Sequence, residues 1–142
     1  MKKHITLSFL FIFSLNMIFS QSNISEINKD ILKSIEKHSS NLIGISDEIW
    51  NLAETAFNEH ESSKILADYA TENGFNVEMG VAGMPTAFVA TYGQGKPVIS
   101  VLGEFDALPG ISQETKPVKS PLIDGGAGHG CGHNLFGAGS LG

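Results

Sequence analysis

Apolar side chains recur at steps of three and four residues between Ile24 and Leu52. This spacing is typical of the apolar face of an α-helix, and His38 fills the one gap in the aliphatic series. The pattern predicts one long amphipathic helix, or two helices joined near Gly44. On this interpretation His38 is a partly buried residue of the helix face and not a metal ligand. The aliphatic positions are Ile24, Ile27, Ile31, Ile35, Leu42, Ile45, Ile49 and Leu52.

A second, shorter helix is predicted after Asn58. Asn58 and Glu61 have the spacing of a capping arrangement at a helix N-terminus. The apolar stripe that follows includes Leu66 and Ala70, and Gly74 is a residue suited to ending a helix. We therefore expect the helix to lie between these two signals.

Three strands are predicted in the middle of the chain. Residues 75–79 alternate between apolar and polar side chains, and residues 86–92 are rich in residues that favour strands. Residues 93–97 contain glycine and proline and predict a hairpin turn onto residues 98–102. That last run is almost entirely apolar, as in a strand covered on both faces at the centre of an α/β sheet. Ligands of such sheets bind beyond the carboxyl ends of the strands, so we expect the chemistry to lie within residues 103–110.

The composition disfavours a nucleic-acid-binding function. The 142 residues have a net charge of -6 and include lysine but no arginine, whereas nucleic-acid-binding surfaces use clustered Lys and Arg side chains. Recognition of phosphate by a bidentate guanidinium is excluded within this segment for the same reason. With 42% hydrophobic residues, the chain can build the core of one domain or of part of a larger one.

The N-terminus has the pattern of a signal peptide over residues 1–20. Lys2 and Lys3 supply the positive start, Ile5–Phe19 is mostly apolar, and Ser20 is a small residue suited to cleavage. The apolar run is shorter than the roughly 20 residues that span a bilayer as a helix, so we expect no stable membrane span after cleavage. The expected mature chain, residues 21–142, is an acidic protein exported to the periplasm or the extracellular space.

Potential metal ligands cluster near the end of the chain, where His129, Cys131 and His133 alternate with glycine. In an extended backbone these three side chains would share one face, and Zn²⁺ accepts both imidazole and thiolate ligands. The chain has one cysteine, and an unpaired thiol in an exported protein is explained if it is buried or bound to a metal. The alternative is a flexible glycine loop in which Cys131 is simply buried.

Two carboxylates, Glu104 and Asp106, follow the predicted central strand. Such a pair can ligate a metal ion or orient the histidines that do so, and a carboxylate close to a cation stays ionised. The alternative for Asp106 is an ordinary turn residue, because aspartate is common in turns.

Two segments taken together, Gly103–Gly110 and Gly128–Asn134, resemble the amidohydrolase branch of the zinc aminoacylase/carboxypeptidase superfamily. Asp47–Phe57 and Gly80–Ala87 are similar as well, so the resemblance covers nearly everything after the signal peptide. It implies an α/β fold, namely the N-terminal part of a three-layer α/β/α metallohydrolase catalytic domain. The implied activity is metal-dependent hydrolysis of an amide bond in an N-acyl or aminobenzoyl amino acid or a small peptide.

The resemblance also implies roles for individual residues. Cys131 and His133 match metal ligands of the family, and Asp106 matches the acidic residue that supports the metal centre. Glu104 stands where members of the branch have an acid and distant relatives have a histidine ligand. His129 matches a family position to which we assign no direct ligation. The implied cofactor is zinc, with manganese or cobalt as alternatives.

Other parts of the implied enzyme would lie after Gly142: the glutamate general base, further histidine ligands, and a domain that usually mediates dimerisation. We therefore expect the chain to be an N-terminal fragment that binds metal weakly and is inactive alone. The partners implied for the longer enzyme are a small amide or peptide substrate and a second copy in a homodimer.

Two other functions fit the sequence. The first is an exported, non-catalytic metal-binding module in which His129, Cys131 and His133 form a closed site. The second is an interaction domain built on the long N-terminal helix, for which Cys131→Ser would leave the metal content unchanged.

Overall fold

The computed structural model describes the backbone from Lys2 to Gly142 and the side chains of residues 26–142. The predicted signal peptide, residues 1–20, lies outside the described side chains. The chain divides into two compact units, Met1–His38 and Ser39–Gly142. Within the part of the chain whose side chains are described, no helix is both long enough and apolar enough to cross a membrane.

Helix α1 (Lys2–Leu52) is continuous, so the alternative of two helices joined near Gly44 is wrong. His38 is partly buried, as predicted. In the first unit the aliphatic stripe is exposed at Ile27, Ile31 and Ile35. In the second unit the same stripe is buried at Ile45 and Ile49, so this end of α1 contributes to the core.

Helix α2 (His60–Glu72) has the predicted apolar stripe, with Leu66 and Ala70 buried, but its N-terminus is capped differently. The predicted capping by Asn58 and Glu61 is wrong. Instead the carboxylate of Glu54 accepts hydrogen bonds from the backbone N–H groups of Glu61 (3.1 Å) and Ser62 (2.8 Å) and from the Ser62 hydroxyl (2.7 Å). A carboxylate outside the helix thus binds the free N–H groups of its first turn.

Strands β1 (Asn76–Met79) and β2 (Phe88–Thr91) form an antiparallel hairpin in which Val77 pairs with Ala90. A 3₁₀ turn, Val81–Gly83, lies between them. Both strands lie within the predicted segments but are shorter. The tilted ring contact of Phe75 with Tyr92, with centroids 5.3 Å apart, extends the pairing beyond the strand ends.

The predicted third strand, residues 98–102, is wrong. Among the described residues the sheet consists of β1 and β2 alone. The aliphatic side chains of the segment are 72–86% exposed, so no layer covers either face. The predicted hairpin at residues 93–97 is absent for the same reason, since 98–102 pairs with no neighbour. A continuous apolar run shows that burying these side chains would be favourable. It does not show that a neighbouring strand or helix is there to cover them.

The core of the second unit is formed where three helices meet. Helix α3 (His133–Leu141) contributes Ala138, which packs with Ile45, Ile49 and Leu66. Phe88 of β2 and other partly buried apolar side chains complete this cluster. The fold is therefore mixed α/β, as predicted.

Candidate metal centre

Residues 104–108 are held in place from both sides by backbone hydrogen bonds. The N–H of Ala107 donates to the carbonyl of Glu54 (2.7 Å), and Thr55 forms a parallel bridge with Ala107. On the other side Leu108 and Gly128 exchange two hydrogen bonds of 3.0 and 2.9 Å. The carboxylate-bearing segment therefore runs next to the segment that leads to the histidines.

Residues 129–132 form a turn in which the N–H of Gly132 donates to the carbonyl of His129 (3.1 Å). Gly132 has φ 73°, a left-handed conformation that glycine adopts without strain, and His133 is the first residue of α3. The expectation that His129, Cys131 and His133 share one face of an extended backbone is therefore wrong. Gly132 allows this tight turn, because its left-handed backbone would be strained in a residue with a side chain.

Helix α3 lies very close to the carboxylate-bearing segment because Gly137 has no side chain. A Cβ atom at Gly137 would lie 2.9 Å from Cβ of Phe105, 3.2 Å from the carbonyl oxygen of Glu104 and 3.4 Å from a methyl group of Leu66. The contact sets the distance between Glu104 and the helix that begins with His133.

Glu104, Asp106 and His133 form the one group in the described part of the chain that could hold a metal ion. Each offers a ligand atom, and these atoms lie within 4.8 Å of one another. Nδ1 of His133 is 2.8 Å from Oδ1 of Asp106, and Nε2 is 3.2 Å from Oε2 of Glu104. The side chains of His133 and Asp106 are 20% and 24% exposed, and that of Glu104 is 54% exposed.

The two contacts of His133 involve different nitrogens of its ring. An ionised carboxylate only accepts hydrogen bonds, so the contact with Asp106 places a proton on Nδ1. In the neutral ring Nε2 then carries a lone pair that faces the acceptor oxygen of Glu104. A cation bound between these two acceptors would satisfy both of them.

The donor set fits a divalent metal ion. Imidazole nitrogen and carboxylate oxygen together suit zinc and manganese, and cobalt accepts the same donors. Ligating histidines commonly donate their second ring N–H to a carboxylate, which fixes the tautomer and orientation. Asp106 can accept the Nδ1 hydrogen bond of His133 in this way. Nε2 of His133 and the Glu104 carboxylate then remain available to bind an ion.

His129 lies outside this group and is bound to α1. Its Nε2 is 3.0 Å from the carbonyl oxygen of Ile49, and its Nδ1 is buried without a hydrogen-bond partner. Burial is the main reason why the pKa of His129 is lowered, and the neighbouring His133 acts in the same direction. The bond to Ile49 and the charge of Asp106 oppose this shift. A neutral ring that donates through Nε2 to Ile49 retains its lone pair on Nδ1.

Cys131 is a free, exposed cysteine at the surface of the turn. Its sulfur does not belong to the group formed by Glu104, Asp106 and His133. The alternative of a simply buried thiol is therefore wrong, and the role of Cys131 as a metal ligand stays a prediction.

Asn134, the residue after His133, has a structural role that the sequence analysis missed. It is buried, and its side-chain amide donates to the hydroxyl (3.0 Å) and to the carbonyl (3.3 Å) of Ser46 in α1. The available signal was Ser46, a small polar residue beside Ile45 on the apolar stripe of the helix. This bond fixes the start of α3 on α1.

Two cavities lie beside the turn rather than at the carboxylates. One of about 180 Å³ is bordered by Trp50 and His129, among others, and one of about 490 Å³ by Trp50, His129 and Asn134, among others. Glu104, Asp106 and His133 line neither of these two cavities.

Comparison with known proteins identifies clear relatives. The chain is 44% identical over 115 residues to a p-aminobenzoyl-glutamate hydrolase subunit of Escherichia coli (strain K12), a match that covers 80% of this chain and 24% of the relative. It is 34% identical over 103 residues to thermostable carboxypeptidase 2 of Saccharolobus solfataricus, which covers 71% of this chain and 25% of the relative. Thermostable carboxypeptidase 1 of the same organism is 33% identical over an equal length.

The chain thus spans about a quarter of the length of these curated relatives. No protein-family model matches it.

Proposed function

Because this chain belongs to the amidohydrolase/carboxypeptidase superfamily, we propose that it forms part of the metal site of an enzyme that hydrolyses an amide bond. The family predicted from the two motifs is confirmed. The proposed substrate is an N-acyl or aminobenzoyl amino acid or a small peptide. This substrate class is supported by the names of the relatives, one a p-aminobenzoyl-glutamate hydrolase subunit and two carboxypeptidases.

The position of His133 between two carboxylates carries the proposal. Nε2 of His133 and the carboxylate of Glu104 would hold the ion, and Asp106 would orient the ring through Nδ1. The family resemblance adds Cys131 as a further ligand. A zinc, manganese or cobalt ion bound there would act as a Lewis acid on the substrate carbonyl and activate water at neutral pH.

The exposure of Glu104 favours catalysis over a closed, non-catalytic site. Structural zinc sites have four protein ligands, whereas catalytic sites keep a position for water or substrate. Glu104 is more than half exposed, and its open side is accessible to a ligand from solution. The closed alternative requires His129, yet His129 lies outside the group and its Nε2 is hydrogen-bonded to Ile49.

Zinc binding by carboxylate variants tests the proposal. We expect Asp106→Asn and Glu104→Gln each to weaken zinc affinity by about tenfold or more, because outer-shell and ligand changes in zinc sites have effects of this size. Asp124→Asn and Glu78→Gln are matched controls, since both residues are exposed and lie outside the group. Competition titration with a chromophoric chelator gives the affinities. Equal affinity in all four variants would show that the group is not the metal site.

We further propose that the 142-residue chain alone binds the ion weakly and does not hydrolyse amides. The described residues group only three donors, of which Asp106 is engaged in orienting His133. Hydrolysis of p-aminobenzoyl-glutamate by the purified chain with added zinc, measured against a metal-free sample, would contradict this.

Export and dimerisation complete the proposal. The two lysines and the apolar run that follows support removal of residues 1–20, which N-terminal sequencing of the exported protein would detect. Dimerisation of the longer enzyme is supported by the family resemblance, and light scattering measures it.

A further inference from the structure

The residues on both sides of the turn that carries Cys131 are bonded to the same stretch of helix α1. His129 donates through Nε2 to the carbonyl of Ile49, and Asn134 donates to Ser46, one helical turn earlier. Ser46 is 5% exposed, Ile49 is 0% exposed and Asn134 is 7% exposed, so the anchor points are shielded from water. Neither His129 nor Asn134 belongs to the candidate metal-binding group.

We propose that His129 and Asn134 are positioning residues that hold the turn onto α1 at both ends and thereby fix the His133 ring between Glu104 and Asp106. The inference rests on the proposed metal site. It differs from the family-based assignment, in which His129 occupies a motif position with no assigned task.

The bond of His129 is suited to this role because of where it lies on the helix. Ile49 lies in the last turn of α1, and its carbonyl oxygen, which has two lone pairs, also accepts the N–H of Ala53 (3.1 Å). The imidazole therefore adds a second hydrogen bond to this carbonyl. It joins residues that are 80 positions apart in the chain.

The bond of Asn134 acts on the other end of the turn. Asn134 follows His133 directly, so any rotation of the first turn of α3 that moved the His133 ring would also move the Asn134 amide. Its two contacts with Ser46 oppose that rotation. Because both side chains are buried, breaking the pair would leave a polar atom without a partner.

Three substitutions at His129 and a matched control test the inference. His129→Gln keeps an N–H donor near the position of Nε2, whereas His129→Asn places its amide nearer Nδ1 and His129→Phe removes the donor. His60→Gln is the control, because His60 is an exposed histidine on α2. We expect His129→Phe and His129→Asn to weaken Zn²⁺ binding by about tenfold, as outer-shell changes do, while His129→Gln and His60→Gln stay close to the parent affinity.

A second pair of variants avoids dependence on a bulky substitution. Ser46→Ala and Asn134→Ala should each weaken Zn²⁺ binding. The double variant should be no weaker than Asn134→Ala alone, because the contact that Ser46→Ala removes is already absent in Asn134→Ala. The absorption spectrum of the Co²⁺-loaded protein reports ligand geometry directly, and we expect it to change in these variants and not in His60→Gln. A role in folding alone would lower stability in chelator and leave the Zn²⁺ affinity of the folded protein unchanged.

The outcomes separate the inference from the function on which it rests. Unchanged Zn²⁺ affinity in His129→Phe and Asn134→Ala would overturn the positioning role while the metal site stands. Equal losses of Zn²⁺ affinity in His129→Gln and His129→Phe would also overturn the positioning role. The effect would then come from Nδ1 and not from the N–H donor at Nε2. A parent chain that binds no Zn²⁺ would overturn the proposed metal site and the inference together.

Discussion

Cys131 and His133 lie two residues apart, yet the surrounding structure constrains them very differently. The ring of His133 is flanked by carboxylates on both sides, whereas the thiol of Cys131 is exposed and outside the group. Ligation by Cys131 therefore requires the turn to bring the sulfur toward the ion. The glycines on either side of Cys131 permit such a movement.

Cys131→Ser tests this ligand. If the thiolate binds the ion, the substitution should weaken Zn²⁺ binding by at least about tenfold and remove the sulfur-to-metal charge-transfer band of the Co²⁺-loaded protein. Added Zn²⁺ should also slow the reaction of the parent thiol with a disulfide reagent. A charge-transfer band that persists in Cys131→Ser, or a thiol reaction rate unaffected by Zn²⁺, would exclude Cys131 from the site.

Glu54 predicts a specific pH dependence of stability. Burial raises the pKa of Glu54, but hydrogen bonds from Ser62 and Glu61 together outweigh it, so the pKa is lowered. A group whose pKa is lower in the folded state stabilises the protein at pH values above its unfolded pKa of about 4.3. That contribution is lost as the pH falls below this value and passes through the folded pKa.

Glu54→Gln should therefore lower the free energy of unfolding at pH 7 by about 1 kcal/mol, the usual size of a helix-capping interaction. It should have a smaller effect at about pH 3, where the parent carboxyl is itself becoming protonated. Urea denaturation at the two pH values measures this, with Glu78→Gln on the exposed face of β1 as the control. An equal loss at both pH values would show that the capping bonds do not depend on the charge of Glu54.

Among the structural elements, α3 depends on close contact at one glycine. Gly137→Ala adds a methyl group 2.9 Å from Cβ of Phe105, and overpacking of this kind costs about 1–3 kcal/mol. Gly139 lies on the same helix with nothing within 4 Å of a Cβ atom, so Gly139→Ala should gain about 1 kcal/mol from helix propensity.

We therefore expect the two alanine substitutions to change the free energy of unfolding in opposite directions, as measured by urea denaturation. Gly137→Ala should also weaken Zn²⁺ binding, because it moves the segment with Glu104 away from the helix with His133. A stabilising Gly137→Ala would show that the contact relaxes without strain.

The segment 98–102 gives the sharpest contrast between sequence and structure. A central strand would make Ile99→Ala cost about 2–5 kcal/mol, whereas Ile99 is 86% exposed and the change should cost less than about 0.5 kcal/mol. Ile49→Ala, at a fully buried position, is the control that should show the large loss. Denaturation curves of the two variants distinguish the outcomes, and a loss above about 2 kcal/mol for Ile99→Ala would place the segment in a covered sheet.

The elements that sequence analysis predicted well are those set by short-range patterns. The apolar stripe of α2 and the alternation in β1 follow from side-chain periods of about 3.6 and 2, which neighbouring residues determine. The prediction for the 98–102 segment was wrong because its state depends on partners elsewhere in the molecule. The same holds for the cap at α2, because Glu54 lies outside the local capping pattern and reaches the helix across the intervening turn.

At the scale of the whole molecule, the site could be predicted only in part. The family motifs indicated Glu104, Asp106 and His133, and the structure brings the histidine to both carboxylates although it lies 27 residues after Asp106. The motifs did not indicate that His129 is hydrogen-bonded to Ile49. Every residue type has a backbone carbonyl, so the residue type of the acceptor gives no sign of such a bond. The turn conformation was also beyond prediction, since glycine permits both extended and left-handed backbone.

Metal binding should be coupled to the stability of the second unit. The proposed ligands belong to α3 and to the 104–106 segment, which pack on the same core, so an ion that joined them would oppose unfolding. With free Zn²⁺ at about a hundred times its dissociation constant, the free energy of unfolding should rise by about 2.7 kcal/mol, less whatever Zn²⁺ binds to the unfolded chain. For a chain of this size, Tm should rise by roughly 2–4 °C for each kcal/mol added to the free energy of unfolding.

Differential scanning calorimetry with and without Zn²⁺ measures this coupling. Mg²⁺ should give little shift, because it prefers oxygen ligands in near-ideal octahedral geometry and would not use the imidazole of His133. Asp106→Asn should abolish most of the Zn²⁺ effect while Asp124→Asn preserves it. An equal shift with both ions would indicate general screening of the acidic surface, since the chain has a net charge of -6, rather than a defined site.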